Sequence, residues 1–180
     1  EQVMATLYYS HPYGNPVIGW QHEIAALNRK DALDFYERFY APNNAILVVA
    51  GDVTMDEVMA LAKDTYAKIP GNAEVEKRKR TIEPPHRGAR QIALSDPRVG
   101  RATWQRAYLA KSYNTAEPGE AEAIDLLMKV VGSGVTSRVY QELVVRQKVA
   151  TSAGGWYSGS GLDSGRIGLY GVAAAGKSLD

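Results

Sequence analysis

The chain contains no cysteine and carries almost no net charge. The absence of cysteine from all 180 residues excludes disulfide scaffolds, cysteine-ligated zinc and thiol catalysis. The 21 basic and 20 acidic residues nearly cancel, so there is no electrostatic footprint for nucleic acid or an anionic membrane. No segment approaches the run of about 20 apolar residues that a membrane helix requires. We therefore expect neither nucleic acid nor a membrane span.

The composition does support a substantial folded core. Apolar residues make up 45% of the chain, which suits one domain or parts of two. The sequence begins with Glu1 rather than Met, and it ends at Asp180 after a glycine-rich strand pattern without a closing helix. We therefore expect a piece of a longer protein.

The first half alternates helix, strand and helix signals. Asn28 is a good N-cap for a helix of about 12 residues. The β-branched run Ile46–Ala50 predicts a strand buried on both faces. Thr54 and Glu57 form a capping box that opens a second helix, which Pro70 ends. Residues 71–88 then hold a charge run and a double proline, which predict a linker over 76–88.

The second half predicts two strands, two helices and two more strands. The strands are expected at Arg90–Leu94, at Thr103–Leu109 and in the glycine-rich stretch after Ala153. One helix should end at Gly132, and Thr136 or Ser137 should cap the next. The order α-β-α, linker, β-β-α-α-β-β indicates an α+β fold.

Two charged or histidine-bearing stretches are candidate binding sites. The basic cluster Lys77-Arg78-Lys79-Arg80 is interpreted as part of a solvated linker, because glutamates lie beside it. His11 and His22 do not fit a zinc helix: H-E-x-x-H from His22 needs a histidine where Ala26 stands, and the H-x-x-E-H order fails from both histidines. We interpret them, with His86 in the linker, as incidental residues of loops.

Two glycine motifs resemble phosphate loops. Gly132-Ser133-Gly134 follows a helix rather than a strand, which argues against dinucleotide binding. The stretch from Gly171 to Gly176-Lys177-Ser178 is a literal G-x-x-x-x-G-K-S after a strand. No helix follows it that could hold the anion at its N-terminus, so a P-loop nucleotide-binding protein is the less favoured hypothesis. No serine has a nameable base, so the residues alone show no catalytic machinery.

The combination of segments nevertheless resembles a known family. The loop His11-Pro12-Tyr13-Gly14, the helix end Phe39-Tyr40-Ala41-Pro42-Asn43-Asn44, the run Leu47 to Val53 and the stretch Gly132 to Leu143 are similar to the pitrilysin/insulinase-type zinc metallopeptidases, the inverzincins. The resemblance implies a two-layer α/β sandwich of the processing-peptidase type, with a mostly antiparallel sheet and helices on one face. It also places residues 1–75 at the end of the first, zinc-bearing domain and 89–180 at the start of the second, non-zinc domain.

The resemblance implies zinc chemistry that these 180 residues do not carry. In the family, two histidines and a glutamate hold zinc, and another glutamate deprotonates the bound water. These residues lie upstream of the His11 loop, so we expect no catalytic residue and no metal ligand here, Zn²⁺ only in the full-length parent, and no activity from this chain alone. Many members also carry a substrate-contacting Arg and Tyr seven residues apart. The matching positions here are Val144 and Thr151; Arg146 and Tyr157 are nearby but do not pair at that spacing.

The function implied is part of a zinc-dependent metalloendopeptidase that cleaves peptides or small proteins. The alternative is a non-catalytic family member that acts as a structural or partner subunit. Expected partners are a peptide substrate and a related chain in a homo- or heterodimer, and the periplasm is favoured over the cytoplasm. The strands between Gly154 and Gly171 are a candidate edge for addition of an extended peptide.

Overall fold

The computed structural model describes residues 1–75 and 79–178. The chain divides into two compact units, Val3–Pro85 and the residues from His86 onward. Lys77 and Arg78 of the basic cluster lie outside the described residues, whereas Lys79 and Arg80 are exposed.

Helices make up the regular structure of the first unit. Their bounds are α1 Gln2–Leu7, α2 Gln21–Ala26, α3 Arg29–Phe39 and α4 Met55–Asp64, with 3₁₀ turns at Pro12–Gly14, Pro42–Asn44 and Tyr66–Lys68. The Asn28 side chain accepts hydrogen bonds from the backbone N–H groups of Lys30 and Asp31 at 2.8 and 3.3 Å. In the capping box of α4, the Thr54 N–H donates to the Glu57 carboxylate at 2.8 Å. Both predicted helix starts are therefore confirmed, although α4 ends earlier than Pro70.

The predicted strand at Ile46–Ala50 is wrong for this structure. Residues 45–50 have no regular secondary structure, and the side chains of Ile46 and Val48 are 92% and 82% exposed. A strand is completed by hydrogen bonds to a neighbouring strand. The described residues of the first unit contain no strand that could supply them. The predicted strand Arg90–Leu94 is also wrong, because these residues are irregular and pair with none of the three strands of the second unit.

The second unit is a three-stranded antiparallel sheet with helical segments against it. Its elements are β1 Thr103–Ala110, α5 Glu120–Gly132, α6 Arg138–Tyr140, a π-helical turn Gln141–Arg146, β2 Ala150–Ser158 and β3 Gly165–Ala173. The strand order is β1-β3-β2, with both pairs antiparallel. Ser137, not Thr136, caps α6, because its hydroxyl accepts the Tyr140 N–H at 3.4 Å. The predicted α+β class with an antiparallel sheet is confirmed.

Glycine lets α5 approach β2 closely. A Cβ atom built on Gly132 would lie 2.5 Å from the backbone nitrogen of Gly155, closer than real Cβ atoms come to backbone atoms. Between β2 and β3, a Cβ atom built on Gly168 of β3 would lie 2.3 Å from the ring of Trp156 on β2. The glycine-rich character of this half of the chain is therefore explained by close packing.

The chain leaves an unusually large surface uncovered. Its accessible surface is 14356 Å². Two separate folded units, each with half of its 19.6 kDa, would together expose about 10,300 Å² by the usual scaling with mass. Much of the excess is apolar, since large side chains on α3, α4 and residues 46–49 are exposed. Exposed apolar faces of this size are typical of interaction surfaces.

Candidate functional site

The three histidines occupy different environments. His11 is 5% exposed in the first unit. His22 is exposed on α2 of the same unit. In the second unit, a guanidinium nitrogen of Arg90 lies 3.0 Å from Nε2 of His86.

His11 is part of a small packed aromatic cluster. Its Nδ1 accepts the Tyr13 N–H at 3.1 Å, which caps the Pro12–Gly14 turn. The ring centroid lies 4.3 Å from that of Tyr13 and 5.7 Å from that of Tyr8. His11 thus lies in an ordered loop, as predicted, and its side chain makes contacts within that loop, whereas the prediction of a loop at His22 is wrong because that residue is on α2.

The residues present do not fit a zinc site. Zinc in proteins takes three or four nitrogen, sulfur or carboxylate ligands converging at about 2.0–2.3 Å. Within residues 1–75 and 79–178, no group of three His, Asp or Glu side chains is placed to share a metal ion. We therefore derive no chemical step through zinc on these residues.

The positions matched to the family's Arg and Tyr lie in a segment of irregular backbone. Val144 is on the π-helical turn, a feature that is rare and frequent at functional sites. Lys148 has φ +55°, the left-handed region that non-glycine residues seldom adopt. Thr151 sits at a register shift between Ala150 and Ser152 in β2, against which the π turn packs. The structure thus brings the two segments together and leaves a valine and a threonine where Arg and Tyr are expected.

A short polar network occupies the π turn. The carboxylate of Glu142 accepts a hydrogen bond from the Gln147 side chain at 2.9 Å and from Arg146 at 3.1 Å. The hydrogen bond from Gln147, and next that from Arg146, lowers the pKa of Glu142 below its ordinary value of 4.5. Arg146 is therefore already engaged with a carboxylate on its own turn.

We expect Gln147→Leu to raise the pKa of Glu142 toward 4.5, because it removes the largest cause of the shift. With a folded pKa below the unfolded one, the stability from this carboxylate is present above pH 4.5 and is lost as pH falls through the folded pKa. In the variant this contribution is smaller, and its loss is complete at a higher pH than in the wild type. Carboxyl ¹³C NMR titration measures the pKa, and Gln105→Leu on exposed β1 is the control that leaves it unchanged. An unshifted Glu142 in Gln147→Leu contradicts the assignment.

The two glycine motifs lie in turns of the second unit. Gly132 lies against β2, and Gly134, with φ +77°, belongs to the turn before α6. Gly176 also has positive φ and lies in a turn closed by the hydrogen bond from the Lys177 N–H to the Ala174 carbonyl at 3.0 Å. In the part of the chain that is described, no helix follows this turn.

The sheet leaves only one strand of the Gly154–Gly171 stretch with an open side. β3 is hydrogen-bonded to strands on both sides, so it cannot accept a peptide. β2 pairs only with β3 among the described strands. Peptide addition at this place therefore remains a prediction for the outer edge of β2.

One long-range contact was missed at the level of sequence. The carboxylate of Glu83 accepts hydrogen bonds from three consecutive backbone N–H groups, those of Tyr9, Ser10 and His11, at 2.7, 3.0 and 2.9 Å. The sequence around Glu83 does not predict this contact, because the partners of Glu83 lie more than 70 residues away along the chain.

Comparisons with known proteins agree on one family. The family described as "Peptidase M16 inactive domain" matches residues 26–180. A protein of Mycobacterium leprae described as an uncharacterized zinc protease is 28% identical over 190 residues, covering 100% of this chain and 40% of its own length.

Solved structures show the same similarity. A crystal structure of a protease from Helicobacter pylori superposes with a TM-score of 0.79 at 25% identity, over 98% of this chain and 42% of that one. The periplasmic protease PqqL from Escherichia coli superposes with a TM-score of 0.54 at 21% identity, over 87% of this chain and 17% of that one. The chain thus spans about two fifths of the length of the zinc protease relative and of the Helicobacter pylori protease. Across the described residues, no helix has the length and apolar character to cross a membrane.

Proposed function

The chain belongs to the pitrilysin-type M16 peptidase family, and we propose that it is part of a zinc-dependent metalloendopeptidase that cleaves peptides or small proteins. The observation that carries the proposal is the family match over residues 26–180 together with a zinc protease relative that aligns over the whole chain. The zinc ligands are assigned to residues of the full-length protein outside these 180.

The role that we assign to the chain is to build the part of the site that faces the zinc-bearing residues. The first unit is assigned to the end of the first peptidase-like domain, and the second unit to the start of the second domain. The boundary between the compact units at Pro85 and His86 supports this division. The uncovered apolar surface supports the existence of the remaining parts of both domains.

Val144 and Thr151 make a second chain necessary for full activity in this proposal. The side chain of Val144 has no hydrogen-bond donor, and the Thr151 hydroxyl donates to the Val172 carbonyl at 3.4 Å. A related chain that carries the Arg and Tyr would supply the missing substrate contacts in a heterodimer. A structural subunit with no activity is the competing function, and the same two residues favour it.

The compartment that we propose is the periplasm. The support is the structural similarity to PqqL from Escherichia coli, which is a periplasmic protease. Release of the full-length protein by osmotic shock would agree with it.

The test is hydrolysis of a quenched-fluorescent peptide by the full-length protein, alone and mixed with a related chain that has the Arg-Tyr pair. We expect hydrolysis that rises at least about tenfold on mixing, since one lost transition-state contact typically costs that much. Val144→Arg combined with Thr151→Tyr should raise the activity of the unmixed protein, and Val145→Arg combined with Ser152→Tyr is the displaced control. No hydrolysis in any arm supports the structural subunit instead.

A further inference from the structure

The bond between Glu83 and the Tyr9–His11 loop has the geometry of a built anion site. Three consecutive backbone N–H groups converge on one carboxylate, and both of its oxygens are used. Successive N–H groups arranged in this way form a concave nest that binds anions, and nests of this type capture carboxylates in other proteins. Hydrogen bonds to an ionised acceptor are also about twice as strong as neutral ones.

The loop that carries the nest has contacts within the chain besides those to Glu83. Tyr8 and His11 are 4% and 5% exposed, and the His11 ring is fixed by the Tyr13 N–H. Pro12 fixes its own φ directly after the last of the three amides. An open cavity of about 300 Å³ adjoins them, lined by Ala5, residues 8–12, Gly14 and Asn15. The site is therefore preorganised and has room for a ligand.

We propose that the amides of Tyr9, Ser10 and His11 form a carboxylate-binding site, and that Glu83 is its resident ligand, supplied by the chain itself. The ligand class is a carboxylate because the carboxylate of Glu83 already accepts hydrogen bonds from all three N–H groups. This inference does not rest on the peptidase function.

The site has a consequence for the segment between Asn72 and Glu83, because both of these residues are hydrogen-bonded to the first unit. Near its start, the Asn72 backbone N–H donates to the Asn43 side chain at 2.8 Å, and the Asn72 side chain donates to the carbonyls of Glu37 and Arg38. Near its end, Glu83 is held by the nest. The described residues on either side of positions 76–78 are therefore both hydrogen-bonded to the first unit, through Asn72 and through Glu83.

The test is hydrogen exchange, followed by mass spectrometry, on the full-length protein and its variants. In Glu83→Gln and Glu83→Ala, we expect the amides of Tyr9, Ser10 and His11 to exchange at least about tenfold faster, because each loses a charge-assisted bond. Glu74→Gln is the matched control in the same segment, since the contact at that residue is made by its backbone N–H. Acetate at matched ionic strength should slow the exchange of these amides in Glu83→Ala and not alter it in the wild type.

A second variant distinguishes the site from general loosening of the first unit. Glu83→Asp keeps the carboxylate and should retain most of the protection, and exchange in α3 should stay at its wild-type rate in all variants. Equal exchange of the three amides in the wild type and Glu83→Gln overturns the proposal. So does a Glu83→Asp variant as unprotected as Glu83→Gln, or an Ala variant that is indifferent to acetate.

Discussion

The substitution Gly132→Ala is expected to lower the free energy of unfolding of the second unit by about 2 kcal/mol. The added methyl would meet backbone atoms of Gly155 at 2.5 to 2.9 Å, and backbone in a paired strand cannot move aside cheaply. Overpacking of this kind costs about 3 kcal/mol. The better helix propensity of alanine returns only about 1 kcal/mol, so the clash dominates.

Urea unfolding, followed by the fluorescence of Trp104 and Trp156 in this unit, measures the effect. A slope of about 2 kcal/mol per molar urea converts the loss into a midpoint lower by about 1 M. Gly171→Ala is the matched control, because nothing lies within 4 Å of the added methyl there. It should leave the midpoint unchanged or raise it slightly. A Gly132→Ala midpoint equal to that of Gly171→Ala would show that α5 and β2 are not packed this closely.

The substitution Val48→Lys is expected to leave the stability of the 180-residue chain nearly unchanged and to lower that of the full-length protein strongly. In the 180-residue chain the side chain is 82% exposed, so the change should stay within about 0.5 kcal/mol. In the full-length protein we expect residues 46–50 to be a central strand, as the sequence pattern predicts. A lysine without a partner buried there would cost about 3 to 5 kcal/mol. Urea unfolding of both proteins, with and without the substitution, measures the difference.

Val17→Lys is the control for this comparison. Val17 is 105% exposed and lies among turn residues rather than in a strand pattern, so lysine should be tolerated in both contexts. If Val48→Lys is equally harmless in the full-length protein, the run is not covered by the rest of the molecule. The proposal that its apolar residues pair with a strand outside this chain would then be rejected.

Local signals in the sequence were enough to predict α3, α4 and most of the second unit, whereas the short helices α1 and α2 were not predicted. The caps at Asn28 and Thr54 depend on residues two or three positions away, and the structure contains both. The alternating pattern of β1 and the helix ending at Gly132 are equally local. The antiparallel character of the sheet came only from the family resemblance.

Two of the features that failed or were missed depend on distant partners. Ile46–Ala50 has the composition of a strand, but composition cannot supply the neighbouring strand that pairing requires. The contact of Glu83 with the Tyr9–His11 loop joins residues separated by 72 to 74 positions. At the candidate site, the positions of Val144 and Thr151 could be matched to the family, whereas the π turn and the positive φ of Lys148 carried no residue signature.

The most direct test of the peptidase assignment is the zinc content of the full-length protein and of the 180-residue chain, each purified without chelator and measured by elemental mass spectrometry. We predict one tightly bound zinc ion per full-length chain, held by ligands outside these residues, and none retained by the 180-residue chain. A full-length protein that binds no zinc would contradict the assignment to an active metalloendopeptidase. Stoichiometric zinc on the 180-residue chain would contradict the placement of the ligands.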